Sequence, residues 1–213
     1  MKKITIMTFF GMIFISMLNI NAQNFKFGVL AGFDIANSQL INKPDVEGFT
    51  RMYYPMITFN VNGYAGYRSN RYWGFSIEPG FIQKGGVLKN DKDIEDDDTR
   101  FQANYIQMPI LVDFYLTDKF FLSLGPEIAC MVNARANSKN LSYDISNFYD
   151  HVLELSGLFG INYSIMKNID LGIRYNHGLT HITKVGFTNE TGEPLGEMKE
   201  YNQYFQLIVR CKI

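Results

Sequence analysis

From Phe25 to the C-terminus, apolar and polar residues alternate with period two in eight stretches, each of about 11 to 16 residues. Residues 25–35 put Phe25, Phe27, Val29, Ala31 and Phe33 on one face and Lys26, Gly28, Leu30, Gly32 and Asp34 on the other, because successive strand side chains point to opposite sides. Stretch 55–68 sets Ile57, Phe59, Val61, Ala65 and Tyr67 against Thr58, Asn60, Asn62, Gly66 and Arg68. In 73–86, Trp73, Phe75, Ile77 and Phe81 oppose Gly74, Ser76, Glu78, Gly80 and Lys84. In 101–116, Ile106, Met108, Ile110, Val112 and Phe114 oppose Gln107, Pro109 and Asp113. The second half repeats the design: Leu122, Leu124, Ile128 and Val132 against Ser123, Gly125, Glu127 and Asn133; Leu155, Phe159 and Ile161 against Glu154, Ser156 and Asn162; Leu171, Ile173 and Tyr175 against Asp170, Arg174 and Asn176; Phe205, Leu207 and Val209 against Gln206, Arg210 and Lys212. A helical period would scatter these sets.

The links alternate in length. Residues 69–72, 117–118 and 166–167 read as tight turns, whereas 36–54, 87–100, 135–150 and 181–200 read as long loops. Short turns on the periplasmic side and long loops outside are the habit of bacterial outer-membrane barrels, whose tilted strands cross the bilayer in about 9–11 residues. The sequence therefore predicts an all-β fold, an eight-stranded antiparallel up-and-down transmembrane β-barrel over 23–213. With that register Tyr67, Trp73, Phe120 and Tyr163 gather at the short-turn end, and Phe33, Phe81, Tyr175 and Phe205 nearer the long-loop end, as two aromatic girdles. A secreted lipocalin-like barrel has the same strand count but would turn its apolar face inward. Here the polar face is rich in Gly, Ser and Asn, which suits a narrow lumen better than a wet surface.

Composition sharpens this in three places. A mean hydropathy of -0.09 is what strands with half their residues polar produce. A net charge of -1 offers no basic field for nucleic acid, so no nucleic-acid partner is expected. Met1-Lys2-Lys3, an apolar run from Ile4 to Ile20 and the small residue Ala22 predict an export signal over 1–22, and hence the cell outer membrane as destination. Cys130 and Cys211 face outward at different heights in this register and are expected to remain unpaired.

The inward charges are the candidate site. Glu78, Glu127, Arg174 and Arg210 are expected to meet in the lower middle of the lumen, either as a hydrogen-bonded structural core or as a gate. Buried charges must find partners, and eight strands leave little room beyond side chains. His177 has Arg174 nearby, but Leu179 stands where a lipid-hydrolysing site would need a Ser on the same face. The acidic run Asp91 to Asp98 lacks the Gly and terminal Glu of an EF-hand loop. It reads as a solvated loop, with a weak Ca²⁺ or Mg²⁺ site bridging lipopolysaccharide phosphates as the alternative. No P-loop, dinucleotide fingerprint, zinc spacing or nucleophile elbow occurs, so neither cofactor nor structural metal is expected.

Two segments resemble a known family. Tyr105-Ile-Gln-Met-Pro-Ile-Leu-Val112 is similar to the Tyr-Leu-x-Ile-Pro-Leu-Leu stretch of the PorT-like outer-membrane β-barrels of Bacteroidetes. Gly172-Ile-Arg-Tyr-Asn-His-Gly-Leu-Thr180 resembles that family's Gly-x-Arg-Tyr-x-x-Gly-Leu-Thr segment, and Gly125-Pro126 fits as well. The resemblance spans the mature chain and implies an outer-membrane barrel, with type IX protein secretion as a role of the family's namesake. Pro109 removes a ladder donor and predicts a local bulge. The expected function is non-enzymatic, structural or interactive, through long outer loops above a largely filled lumen. A narrow solute pore or an accessory part of a secretion machine is the alternative. The expected partners are outer-membrane lipid, lipopolysaccharide and proteins met at the loops.

Overall fold

The computed structural model describes residues 24–42, 53–88, 98–138, 141–188 and 194–213; the expected export signal and most of the acidic run 91–98 lie outside the described residues. Twelve strands form among the described residues: β1 (Phe25–Ile41), β2 (Tyr53–Tyr54), β3 (Met56–Arg68), β4 (Trp73–Ile77), β5 (Gly80–Leu88), β6 (Thr99–Tyr115), β7 (Phe120–Ser138), β8 (Leu141–Asp144), β9 (Leu153–Met166), β10 (Ile169–Gly178), β11 (Thr183–Thr188) and β12 (Pro194–Lys212). β4 and β5 are two halves of one stave. Across the gap between them, Glu78 N donates to Pro109 O at 3.0 Å and Gly63 N to Pro79 O at 2.8 Å. Each stave runs antiparallel to the next, and β12 returns to β1 from Gly28↔Lys212 to Ile41↔Lys199. The result is a closed ring of eight staves, which leaves no sheet edge to meet lipid.

Three short turns close the lower end. Asn70 Oδ1 accepts from Tyr72 N at 2.8 Å and Trp73 N at 2.9 Å, and Thr117 Oγ1 accepts from Phe120 N at 2.9 Å. Asn and Thr are suited to this because their short side chains can bond local backbone. The third turn is Lys167-Asn168.

The two faces of the wall are inverted relative to a soluble protein. Phe33, Ile57 and Ile173 are 69%, 77% and 62% exposed, whereas Glu78, Glu127 and Arg210 are 0% exposed. Soluble monomers rarely expose a large contiguous apolar surface; lipid is the solvent this belt fits. Among the described residues no helix is long and apolar enough to cross a membrane, and the apolar outer face is made by the strands. Aromatic contacts mark both ends: Trp73–Phe114 and Phe25–Tyr67 at 4.9 Å below, Tyr175–Phe205 at 4.8 Å and Phe59–Phe81 at 5.7 Å above. Cys130 and Cys211 are free and exposed, as expected.

Above the upper girdle the outward face turns polar while pairing continues. Gln83 Nε2 donates to Asn104 Oδ1 at 3.1 Å, and Asn104 Nδ2 to Asn133 Oδ1 at 2.7 Å. Ala103 and Tyr105, on either side of Asn104, are buried inside, so this amide ladder lies on the outer wall. Asn133 was expected to point inward. It points outward because the register steps from Asn104↔Asn133 to Tyr105↔Met131, leaving Val132 as an extra residue that inverts the phase. The bulge therefore sits at Val132 and not at Pro109: Pro109↔Glu127 and Val112↔Leu124 keep one register through the proline.

The expected long loops are also partly strand. β1 runs to Ile41, β8 folds back on the upper part of β7, and β11 pairs with β12 from Thr183↔Glu200 to Lys184↔Lys199 and beyond. Once clear of the membrane, a strand needs no apolar outer face. The alternation signal fades there even though the backbone ladder persists.

Candidate functional site

Alternation sends Glu78, Asp113, Asp170, Arg174 and Arg210 into the lower lumen, and there all but Asp113 form ion pairs. Arg174 grips both carboxylate oxygens of Glu78, Nη1 to Oε2 at 2.5 Å and Nη2 to Oε1 at 2.8 Å. Arg210 Nη2 reaches Glu78 Oε1 at 2.7 Å and its Nη1 reaches Asp170 Oδ2 at 3.3 Å. Lys212 Nζ completes the chain on Asp170 Oδ1 at 2.6 Å. The bidentate fork of Arg matches a carboxylate in a way a Lys could not. The Arg210 guanidinium also lies over the Tyr64 ring at 4.4 Å. Space for Arg174 comes from Gly160, its register partner on β9, where a Cβ would lie 2.9 Å from Arg174 Cγ.

Glu127 does not join this group. It belongs to a second cluster in the upper lumen, where Lys84 Nζ bonds Glu127 Oε1 at 3.0 Å and Glu154 Oε1 at 3.1 Å. Asn176 Nδ2 donates to Glu127 Oε2 at 3.0 Å, Tyr204 Oη to the same carboxylate at 2.6–2.7 Å, and Asn202 Nδ2 to Glu154 Oε2 at 2.8 Å. The expected foursome is thus a threesome, Glu78, Arg174 and Arg210, plus Glu127 in separate company. Tyr204 and Asn202 were missed as partners. Extending the inward phase of β12 back from Gln206 would have placed both in the lumen.

Asp113 and Asp34 are held by neutral donors, Ser123 Oγ at 2.5 Å and Asn60 Nδ2 at 2.7 Å. Arg174, Arg210, Tyr105, Tyr204, Lys84 and Phe121 are among the largest fully buried side chains. Around and above the Lys84 cluster an apolar group of Ala36, Ile82, Ala103, Tyr105, Ala129, Met131, Ala134 and Tyr204 fills the bore, and Ile145 and Tyr149 pack onto it. Segment 145–149 is pinned over the mouth: Ile145 N donates to Ala134 O at 3.0 Å, and Ala134 N to Ser146 Oγ at 2.9 Å. Ser146 N also donates to Asp144 Oδ1 at 2.9 Å, and this backbone bond holds the exposed Asp144 carboxyl below its usual range.

On the outer side of that cap lies a recess of about 380 Å³ lined by Tyr53, Phe101, Phe148, Tyr149, Val185 and Met198, with Lys184 and Glu200 at its polar side. Tyr53 and Phe101 meet edge to face at 5.7 Å. His151 and His181 meet edge to face at 4.9 Å beside Tyr201, at the same end. His177 shares the outer wall with Tyr175, whose hydroxyl lies 3.2 Å from His177 Nδ1, and Leu179 is 60% exposed. Among the described residues no group of three or more His, Cys, Asp or Glu is placed to hold a metal ion.

Comparisons with known proteins agree with this architecture. The structure of neisserial surface protein A aligns with a TM-score of 0.50 at 20% identity, covering 88% of this chain and 97% of that one. The attachment invasion locus protein Ail of Yersinia pestis aligns at 0.48 and 12% identity, covering 89% and 99%. OprG of Pseudomonas aeruginosa aligns at 0.45 and 13%, covering 88% and 95%. At 20% identity the likeness to neisserial surface protein A concerns fold alone. No curated protein sequence matches the chain. Residues 21–184 do match a family model described as the outer membrane protein beta-barrel domain. That is most of the chain, and it agrees with a ring whose bulky apolar face looks outward and whose charges are buried in its bore: the chain belongs to the outer membrane protein β-barrel domain family.

Proposed function

We propose that this protein is a non-enzymatic barrel of the outer membrane, exported by its leader 1–22, that works through its outer hairpins while its lumen is closed. The observation that carries this is the filled bore. Two ion-pair clusters, the upper one wrapped in an aliphatic-aromatic layer, and then the segment 145–149 occupy it. Buried ion pairs seldom add net stability over apolar packing, but they fix one arrangement strongly. Their role here is to hold a narrow barrel rigid and shut, in preference to gating it.

A rigid scaffold that lifts paired arms above the membrane is suited to presenting a binding surface. The apolar recess between Tyr53, Phe101, Tyr149 and Met198 lies on that surface and is the place where we expect a protein or lipopolysaccharide partner to touch. Membership in the PorT-like branch is part of the same proposal, supported by the Tyr105–Val112 and Gly172–Thr180 segments. Planar-bilayer recording tests the closed lumen. Purified protein should give no steady open-channel current, and large stable channels would overturn the proposal.

A further inference from the structure

The three short turns and the two ends of the barrel strands each bring a cation to the lower mouth. Lys26 comes from the start of β1, Arg68 from the β3–β4 turn, Lys119 from the β6–β7 turn, Lys167 from the β9–β10 turn and Lys212 from the end of β12. Together they line a recess of about 440 Å³, in the size range of small-molecule sites. The recess is blind. Tyr64 and Tyr115 close it above, and the Arg210–Glu78–Arg174 cluster seals the bore beyond.

Opposing charge is scarce. Asp118 is taken by Arg68 at 3.2 Å, and Asp170 is shared by Lys212 at 2.6 Å and Arg210 at 3.3 Å. Lys26, Lys119 and Lys167 have no ion-pair partner among the described residues. Lys26 is repelled by Lys212, Arg68 and Lys167, against the attraction of Asp170. Part of the ring is held in place before any ligand arrives. Arg68 lies over the Tyr115 ring at 4.0 Å and donates to the carbonyls of Asn70 at 3.2 Å and Arg71 at 2.9 Å. The turn bearing Lys119 is tied to β9 by Ser164 N donating to Lys119 O at 2.7 Å.

We propose that this mouth is an oxyanion-binding vestibule for a multivalent phosphate- or carboxylate-bearing ligand, recognised by Lys26, Arg68, Lys119, Lys167 and Lys212. Like charges gathered around a recess repel one another until an anion sits among them. Five donors on separate staves surround a polyvalent anion from several sides, which a single helix end or turn does not do. The oxyanion has two sources on this side of the membrane: a soluble ligand, or the phosphate of an anionic phospholipid. The recess lies within the ring and not on the wall, which favours the soluble one.

The test is calorimetric titration of inorganic pyrophosphate into the full barrel in phosphatidylcholine nanodiscs, at ~0.1 M NaCl to screen distant charges. Saturable binding is expected, weakened about tenfold or more in the double variant Lys119→Glu/Lys167→Glu. Both residues are exposed on turns, so the variant should fold, and its circular dichroism spectrum checks that. No saturable binding, equal affinity in the variant, or equally tight chloride binding would each overturn the proposal. Exchanging the lipid for phosphatidylglycerol separates the sources. Unchanged pyrophosphate affinity assigns the vestibule to a soluble anion, and competitive weakening assigns it to lipid headgroup phosphate.

Discussion

Removing the carboxylate of Glu78 should be among the most damaging single changes in this barrel. Glu78 accepts three charge-assisted bonds, two from Arg174 and one from Arg210, and all three side chains are at most 1% exposed. In Glu78→Gln the Arg210 guanidinium keeps Asp170 at 3.3 Å. Arg174 keeps no carboxylate among the described residues. Breaking a buried pair by deleting one partner costs about 3–5 kcal/mol, because a desolvated charge is left behind. The figure belongs here at its upper end, since two cations lose a partner at once. The single tryptophan, Trp73, lies on the lipid face at 47% exposure, so its fluorescence reports the loss of the bilayer environment. Urea unfolding from lipid vesicles would supply the free energies. Glu78→Gln combined with Arg174→Met should cost about 2 kcal/mol less than the two single changes added together, because the second removes a charge that the first has already orphaned. A loss under about 0.5 kcal/mol for Glu78→Gln, or strict additivity of the pair, would refute the coupling.

On the lipid face, Val61→Arg or Ile173→Arg, at positions 51% and 62% exposed, should cost about 2–4 kcal/mol and impair insertion into vesicles. If both variants stay in water as folded monomers, the inside-out assignment fails. In the wall itself, a Cβ on Gly125 would overlap the backbone carbonyl of Ile110, whereas one on Gly157 meets nothing within 4 Å. Gly125→Ala should therefore destabilise by about 1–3 kcal/mol in urea titration. Gly157→Ala should stay within about 0.5 kcal/mol of the parent, and equal effects would contradict the packing described.

Much of the wall was legible because a membrane strand advertises its two sides separately. Phe27, Ile57 and Ile173 face lipid and Asn60, Asp113 and Arg174 face the bore, as period two predicts. The turns at Asn70 and Thr117 carry their own local chemistry. Legibility ended where lipid ended. The paired upper part of β1, the β11–β12 hairpin and the outward turn of Asn133 lie above the apolar belt. There the outward face carries no hydrophobic mark, and a one-residue bulge at Val132 can invert the phase without trace in composition.

The sequence by itself determined that the chain makes eight staves, which side of each meets lipid, and that the bore holds carboxylates and cations in nearly balanced number. Only the tertiary structure decided which of them meet. Glu78, Pro109 and Glu127 lie on one line across neighbouring strands, yet Glu78 pairs with Arg174 and Arg210 below and Glu127 with Lys84 above. Strands in a closed barrel tilt by about 35–45° and sit about 4.8 Å apart, so a line across two of them climbs roughly 6 Å along the axis. That climb is a property of ring closure and stagger. No window of sequence contains it, so the alternation could send each charge inward but could not say which partner it would find there.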